Sequence, residues 1–143
     1  SSDVCSSDLE KLAAFEAEVV SLQDETQDLV ERQRARLIAR FAELSIELNS
    51  DRLHQEIVLL MQKNDIEEEL DRLSAHVAEF RDQLARNAQS RERIGRRLDF
   101  LLQEFNRETN TIASKSWDRS LTLRAVEMKV LIEQLREQVQ NVE

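Results

Sequence analysis

Apolar residues recur along most of the chain at intervals of three, four and seven positions, the spacing of one face of an α-helix. The first such stripe weakens around Thr26 and Gln33 and stops at Asn49-Ser50-Asp51, residue types that often cap a new helix. This pattern predicts a long N-terminal helix over residues 10–50, followed by an antiparallel turn. Its apolar positions are Leu9, Leu12, Phe15, Val19, Leu22, Leu29, Leu37, Phe41, Leu44 and Leu48.

A second stripe predicts a helix from about Asp51 to Ser90 that runs antiparallel to the first. The polar stretch from Asn87 to Arg93 and Gly95, the only glycine, indicate a break or a change of direction. A third helix is expected from about Arg96 to Ile112. The residues from Ser114 to Asp118 are typical of a loop with capping side chains.

The last predicted helix, from about Arg119 to Val142, has the most regular apolar spacing. A period of 3.5 residues is typical of coiled-coil packing, and both packing within the chain and self-association satisfy it. The predicted fold class is therefore all-α: a long antiparallel helical hairpin plus C-terminal helices with coiled-coil-like packing. The apolar residues of this last helix are Leu121, Ala125, Met128, Ile132, Leu135, Val139 and Val142.

Composition and charge narrow the function classes. The net charge of −9 at pH 7 argues against binding nucleic acid by bulk attraction, which relies on Lys and Arg. A local basic site, or acidic residues that hold a metal ion beside a phosphate, stays compatible with this charge. The sequence has a single cysteine, Cys5, and no apolar run long enough to span a membrane, so we expect a cytoplasmic protein without membrane contact.

The first nine residues differ from the rest of the chain. They are rich in Ser and Asp, they show no helical periodicity, and they contain Cys5. We interpret residues 1–9 as a non-native leader, similar to a translated sequencing adapter. The alternative is a native tail with a helix cap at Ser7 or Asp8.

The first candidate site lies on the second predicted helix. Asp65, Glu69, Arg72 and His76 are spaced so that a continuous helix would align them on one side. Two carboxylates one turn apart are natural ligands for a hard divalent cation, and an imidazole adds a ligand or an acid–base group. Arg72 suits a phosphate oxygen. Solvated ion pairs along the helix, such as Glu68 with Arg72, are the alternative explanation.

The second candidate site lies on the third predicted helix. Glu104 and Glu108 are one turn apart, and Arg107 and Lys115 add positive charge, so this segment can position a cation and a phosphate together. A buried polar network at a helix or subunit interface is the alternative. The sequence contains no phosphate-binding glycine loop, paired CxxC or HExxH motif. Neighbouring amides also suit a hydrogen-bonding surface: Gln103, Asn106 and Asn110.

Three segments carry a resemblance to a known family. They are DRLHQEIVLLMQKNDIEEELDRLSAHVAEF (51–80), GRRLDFLLQEFNRETNTIASKS (95–116) and EMKVLIEQLREQVQNVE (127–143). In this order they resemble the C-terminal domain of the YicC family. Phe105, Thr109 and Trp117 depart from the family's pattern, but none of these departures removes a charged candidate.

The resemblance implies a bacterial, cytosolic, stress-associated ribonuclease that depends on a divalent cation and assembles as a homohexamer. It also implies an N-terminal domain with β structure. We therefore interpret residues 51–143 as the family's C-terminal helical domain, with the β-containing domain absent from this sequence.

Our hypothesis is a divalent-metal-dependent endoribonuclease module that uses Mn²⁺ or Mg²⁺ to cleave RNA. It requires the two acidic segments to lie close enough to hold a common cation beside an RNA phosphate. The alternative is a non-catalytic helical oligomerisation or RNA-binding adaptor, whose carboxylates would be buried against arginines. The hypothesis assigns metal binding to Asp65, Glu69, His76, Glu104 and Glu108, catalysis to His76, Glu104 and Glu108, and RNA phosphate binding to Arg72, Arg107 and Lys115.

Overall fold

A computed structural model describes residues 2–43, 50–86 and 91–141. Over these ranges the chain forms five α-helices and no strand, which confirms the all-α prediction. No described helix is both long and apolar enough to cross a membrane. The helices are α1 (Ser2–Glu43), α2 (Ser50–Lys63), α3 (Glu67–Ala85), α4 (Arg91–Ser114) and α5 (Arg119–Asn141).

Four of these helices form an antiparallel bundle. α1 and α4 each pack against both α3 and α5, while α2 packs against α1. Contacts at the two ends of the α1–α5 pair show its direction: Ser7 accepts a hydrogen bond from Gln138 at 2.5 Å, and Arg32 pairs with Asp118 at 3.7 Å. The topology of the four helices is up-down-up-down, and α2 lies in the connection between α1 and α3.

The predicted apolar stripes meet in one core between α1, α3, α4 and α5. Phe105 stacks on Phe15 with ring centroids 4.8 Å apart and also contacts Phe80 at 5.6 Å. The regular apolar residues of α5 face this core, so they pack within the chain. Val142 lies outside the described residues, and coiled-coil geometry stays a prediction. The buried members are Leu121, Ala125, Met128, Ile132, Leu135 and Val139.

The prediction of one continuous helix from Asp51 to Ser90 is wrong. The amides of Asn64 and Asp65 donate to carbonyls three residues earlier, and the helical pattern stops there. The Asp65 carboxylate then accepts a hydrogen bond at 3.0 Å from the amide of Glu67, at the start of α3. Asn and Asp side chains compete with helical backbone in this way. The adjacent Ile66 is buried in the core, which fixes the change of direction.

The other predicted connections are met in part. Gly95 lies inside α4, so the expected break at the glycine itself is wrong. Of the polar stretch from Asn87 to Arg93, residues 91–93 lie inside α4, and residues 87–90 lie outside the described part. The predicted loop before the last helix is confirmed. Of the predicted break at Asn49-Ser50-Asp51, Ser50 begins α2, and Asn49 lies outside the described residues.

Helix α1 begins before the predicted start. It includes Ser2 to Leu9, so most of the segment interpreted as a leader is helical. Leu9, which the stripe placed inward, is exposed. The non-native origin of residues 1–9 stays a prediction.

Candidate active site between the third and fourth helices

Helices α3 and α4 bring the two acidic segments together at Arg72. Its Nε donates a hydrogen bond to Oε1 of Glu108 at 2.9 Å. Its Nη2 lies 3.6 Å from Oε1 of Glu69. One guanidinium therefore links a carboxylate from each segment, so the two segments lie side by side, and a metal ion shared by them stays a prediction.

Glu69 is buried beneath this guanidinium, with 4% of its side chain exposed. Its Oε1 accepts a hydrogen bond from Nζ of Lys115 at 2.7 Å, and the same Nζ donates to the carbonyl of Asp65 at 2.9 Å. Its Oε2 is buried and has no hydrogen-bond partner among the described residues. Because a buried carboxylate is costly without a partner, Lys115 is the main group that stabilises the charged form here.

Glu108 is also buried, whereas 47% of the Arg72 side chain is exposed. The hydrogen bond to Glu108 raises the pKa of the Arg72 guanidinium further above its usual value, so this group stays positively charged. The exposed Glu68 lies 3.7 Å from Arg72, and this solvated ion pair along one helix was the alternative explanation from sequence. The site thus combines buried carboxylates with a cation at the surface.

His76 and Glu104 lie one turn further along the same two helices. Nε2 of His76 is 3.9 Å from Oε2 of Glu104, and both side chains are partly exposed. This separation is too long for a hydrogen bond, but it allows an ion pair when the imidazole is protonated. Both groups are accessible at the protein surface.

The remaining candidates occupy the edges of the site. Arg107 is exposed, and its side chain makes no hydrogen bond or ion pair with the residues that the structure describes; its carbonyl accepts a hydrogen bond from Thr111 at 3.1 Å. Asp65 precedes α3, and its carboxylate accepts a hydrogen bond from the amide of Glu67, so it does not belong to the helical line that its spacing predicted.

The donor set does not fit a metal site of three or more protein ligands. Among the side chains that the structure describes, no three from His, Cys, Asp or Glu are arranged to hold a metal ion. Glu69 and Glu108 are instead paired with Lys115 and Arg72. Dependence on Mn²⁺ or Mg²⁺ stays a prediction.

Sequence reasoning missed one polar group next to the site. Thr109 is fully buried, and its Oγ1 has no hydrogen-bond partner among the described residues. It was visible only as a departure from the family pattern. Its burial follows from the position of α4 in the bundle, which the spacing of residues does not specify.

Residues 22–143 match the family described as "Endoribonuclease YicC-like, C-terminal". The chain belongs to this YicC-like family. The resemblance is thereby confirmed, and the matched region includes every candidate site residue. This comparison establishes kinship and leaves the role of each residue to experiment.

Two relatives share the YicC-like sequence at considerable identity. A protein of Haemophilus influenzae is 43% identical over 134 residues, which are 94% of this chain and 45% of the relative. One of Clostridioides difficile is 37% identical over 128 residues, or 87% of this chain and 42% of the relative. Both carry the name "Probable endoribonuclease YicC". The chain thus spans less than half the length of these relatives.

Proposed function

We propose that this chain supplies the α3–α4 face of an endoribonuclease centre that cleaves RNA phosphodiester bonds. The observation that carries the proposal is the meeting of both acidic segments at Arg72, which contacts Glu108 at 2.9 Å and Glu69 at 3.6 Å. The names of the two relatives support the same activity.

In this proposal the guanidinium of Arg72 binds a phosphate oxygen of the RNA. A guanidinium has five N–H donors, and the carboxylates beneath it use only part of this set. The buried Glu69 and Glu108 hold the planar group in position, so it is ready to stabilise negative charge in the transition state. Such preorganisation raises the rate because the donors need not reorient during the reaction.

The local charge requires a further cation when phosphate binds. Three carboxylates, Glu68, Glu69 and Glu108, contact only two cations, Arg72 and Lys115. The site therefore carries one net negative charge before RNA arrives. The exposed Arg107 is the candidate that balances it. The predicted Mn²⁺ or Mg²⁺ would supply the same electrostatic help, but no step is assigned to it.

His76 is the proposed acid–base group. It takes the proton from the attacking hydroxyl, either water or the neighbouring ribose hydroxyl, and Glu104 stabilises the resulting imidazolium across 3.9 Å. A substrate with a single deoxyribose at the cleavage position separates the two nucleophiles. The cytoplasmic location and the homohexamer stay predictions from the resemblance.

The test is a labelled-RNA cleavage assay on the full-length protein, with Mn²⁺ and with a chelator. We expect His76→Gln to lower the cleavage rate by roughly a hundredfold or more, the usual contribution of a general acid–base group. Glu104→Gln should show a loss in the same direction. His54→Gln is the matched control, since His54 is the other histidine and lies exposed on α2. Wild-type rates in both site variants would contradict the proposal.

A specific observation also favours the alternative, a non-catalytic helical scaffold or RNA-binding adaptor. Glu69 and Glu108 are buried against Lys115 and Arg72, as expected for a structural ion-pair network. In that case Glu108→Gln should lower stability or disrupt assembly while leaving any cleavage per folded molecule unchanged. Size-exclusion chromatography with the cleavage assay distinguishes the two functions.

A further inference from the structure

A cleft of about 520 Å³ lies where α2 meets α1 and the start of α3. This volume is in the range of sites that bind small organic molecules, roughly 300–1,000 Å³. Trp117 forms part of its wall, and half of the polar residues that line the cleft have amide side chains. These amides are Gln23, Gln27, Gln33, Gln62 and Asn64.

Gln33 is the side chain that points to a ligand. Only 5% of this residue is exposed, although it lines the cleft. Its amide makes no hydrogen bond with any side chain or backbone group that the structure describes. The amide atoms of Gln33 are not among the buried groups that lack a partner, so they are open to water in the cleft. A ligand that offers both a donor and an acceptor would replace that water.

The charge of the cleft excludes phosphate as the group bound inside it. Its wall includes three carboxylates, Asp24, Asp65 and Glu67, and one guanidinium, Arg34. A neutral, planar and polar ring is better suited to this wall. Tryptophan stacks on nucleobases, and a glutamine amide can pair with a base edge by one donor and one acceptor.

The cleft adjoins the candidate active site. Asp65 lines the cleft, and its carbonyl accepts a hydrogen bond at 2.9 Å from Lys115, which also pairs with Glu69. Trp117 follows Lys115 by two residues. Lys115 and the exposed Arg72 are the groups of the candidate active site that would bind the phosphate accompanying a base.

We propose that this cleft binds one unpaired nucleobase of an RNA strand, with Trp117 as the stacking surface and Gln33 as the group that recognises the base edge. The proposal rests on the proposed function for the identity of the strand. It assigns base binding to the α1–α2–α3 junction and leaves bond cleavage to the α3–α4 face.

Tryptophan fluorescence tests the proposal directly. Trp117 is the only tryptophan and the sequence has no tyrosine, so its emission reports on the cleft wall alone. Adenosine monophosphate and short oligoadenylate should quench this emission in a saturable way. Ribose 5-phosphate and tripolyphosphate, which lack a base, should leave it unchanged. Equal quenching by tripolyphosphate, or quenching only by an arginine-rich peptide, overturns the proposal.

Substitutions of glutamine residues test whether Gln33 binds the base. Gln33→Leu should raise the Kd for oligoadenylate about tenfold, since a good bidentate amide–base pair contributes on the order of 1–3 kcal/mol. Gln55→Leu, on an exposed part of α2 outside this cleft, is the matched control and should bind as the wild type does. A folded Gln33→Leu variant with wild-type affinity overturns the assignment.

A second variant covers the case in which Gln33→Leu does not fold. Val58 is exposed and lines the cleft, so Val58→Phe should narrow it without altering the core, and it should weaken quenching by the base. Undiminished quenching in folded Val58→Phe refutes the base site. His76→Gln separates the two proposals: quenching that persists while cleavage is lost supports both, and cleavage that persists refutes the proposed function alone.

Discussion

The buried carboxyl of Asp8 allows a quantitative prediction of how the stability of the protein depends on pH. The residue is 1% exposed on α1, and its Oδ1 has no hydrogen-bond partner among the described residues. Burial raises the pKa of the Asp8 carboxyl from 3.8 to about 6, because the charged form loses its hydration. The folded chain therefore holds this proton more tightly than the unfolded chain does.

The sign of the pH dependence follows from that difference. Below about pH 4 the carboxyl is protonated in both states, and Asp8 carries no penalty. Between about pH 4 and pH 6 the unfolded state ionises first, so the free energy of unfolding falls as the pH rises. Above about pH 6 the carboxyl is ionised in both states, and Asp8 lowers the free energy of unfolding no further. The rise of the pKa from 3.8 to about 6 sets an upper limit of about 3 kcal/mol on this loss of stability.

Asp8→Asn removes the ionisation and keeps the side-chain size. We expect the variant to be more stable than the wild type by about 2–3 kcal/mol near pH 7, and by close to nothing near pH 4. Urea unfolding followed by circular dichroism at both pH values measures this difference. Asp24→Asn, at an exposed position of the same helix, is the control and should change stability little. An equal effect of Asp8→Asn at both pH values would refute the electrostatic explanation.

Three further predictions concern the core and the site. Phe105→Ala should lower the free energy of unfolding by roughly 3–5 kcal/mol in urea unfolding, because the ring is fully buried between two other phenylalanines. Lys115→Met should cost about 2 kcal/mol or more in the same assay, since Glu69 loses its closest cation, and the double variant with Glu69→Leu should recover part of the loss. Arg107→Ala should leave thermal stability unchanged and weaken RNA binding in a filter-binding titration. The slope of log Kd against log salt concentration should fall by about one, because one phosphate contact is lost. A large drop in the melting temperature of Arg107→Ala would show that Arg107 has a structural role instead.

The helices themselves were predictable from sequence, and the break between α2 and α3 was not. The apolar spacing continues through Asn64 and Asp65, so periodicity alone predicts one helix. The backbone stops because these two side chains favour a turn and because Ile66 must reach the core. Such competition depends on tertiary packing, which a linear pattern does not contain.

The sequence predicted which residues form the candidate site, but it did not predict which carboxylate contacts which cation. Carboxylates and cations on two segments identified the chemistry. The hydrogen bond from Arg72 to Glu108 depends on the register of α3 against α4, which core contacts such as Phe80 with Phe105 determine. Gln33 is similar, since in the sequence it only interrupts an apolar stripe. It lines a cleft because the chain changes direction between α2 and α3, which the sequence pattern did not predict.

The arrangement of α2 has a consequence for local unfolding. Among the helices that the structure describes, α2 contacts only α1, whereas every helix of the bundle has two bundle neighbours. Segments with few packing partners open without global unfolding, so backbone amides of α2 should exchange with solvent before those of α3 to α5. Because residues of α2 form one wall of the cleft, local unfolding of α2 also removes that wall. A ligand held there would slow amide exchange along α2, which links occupancy of the cleft to the order of a helix outside the bundle.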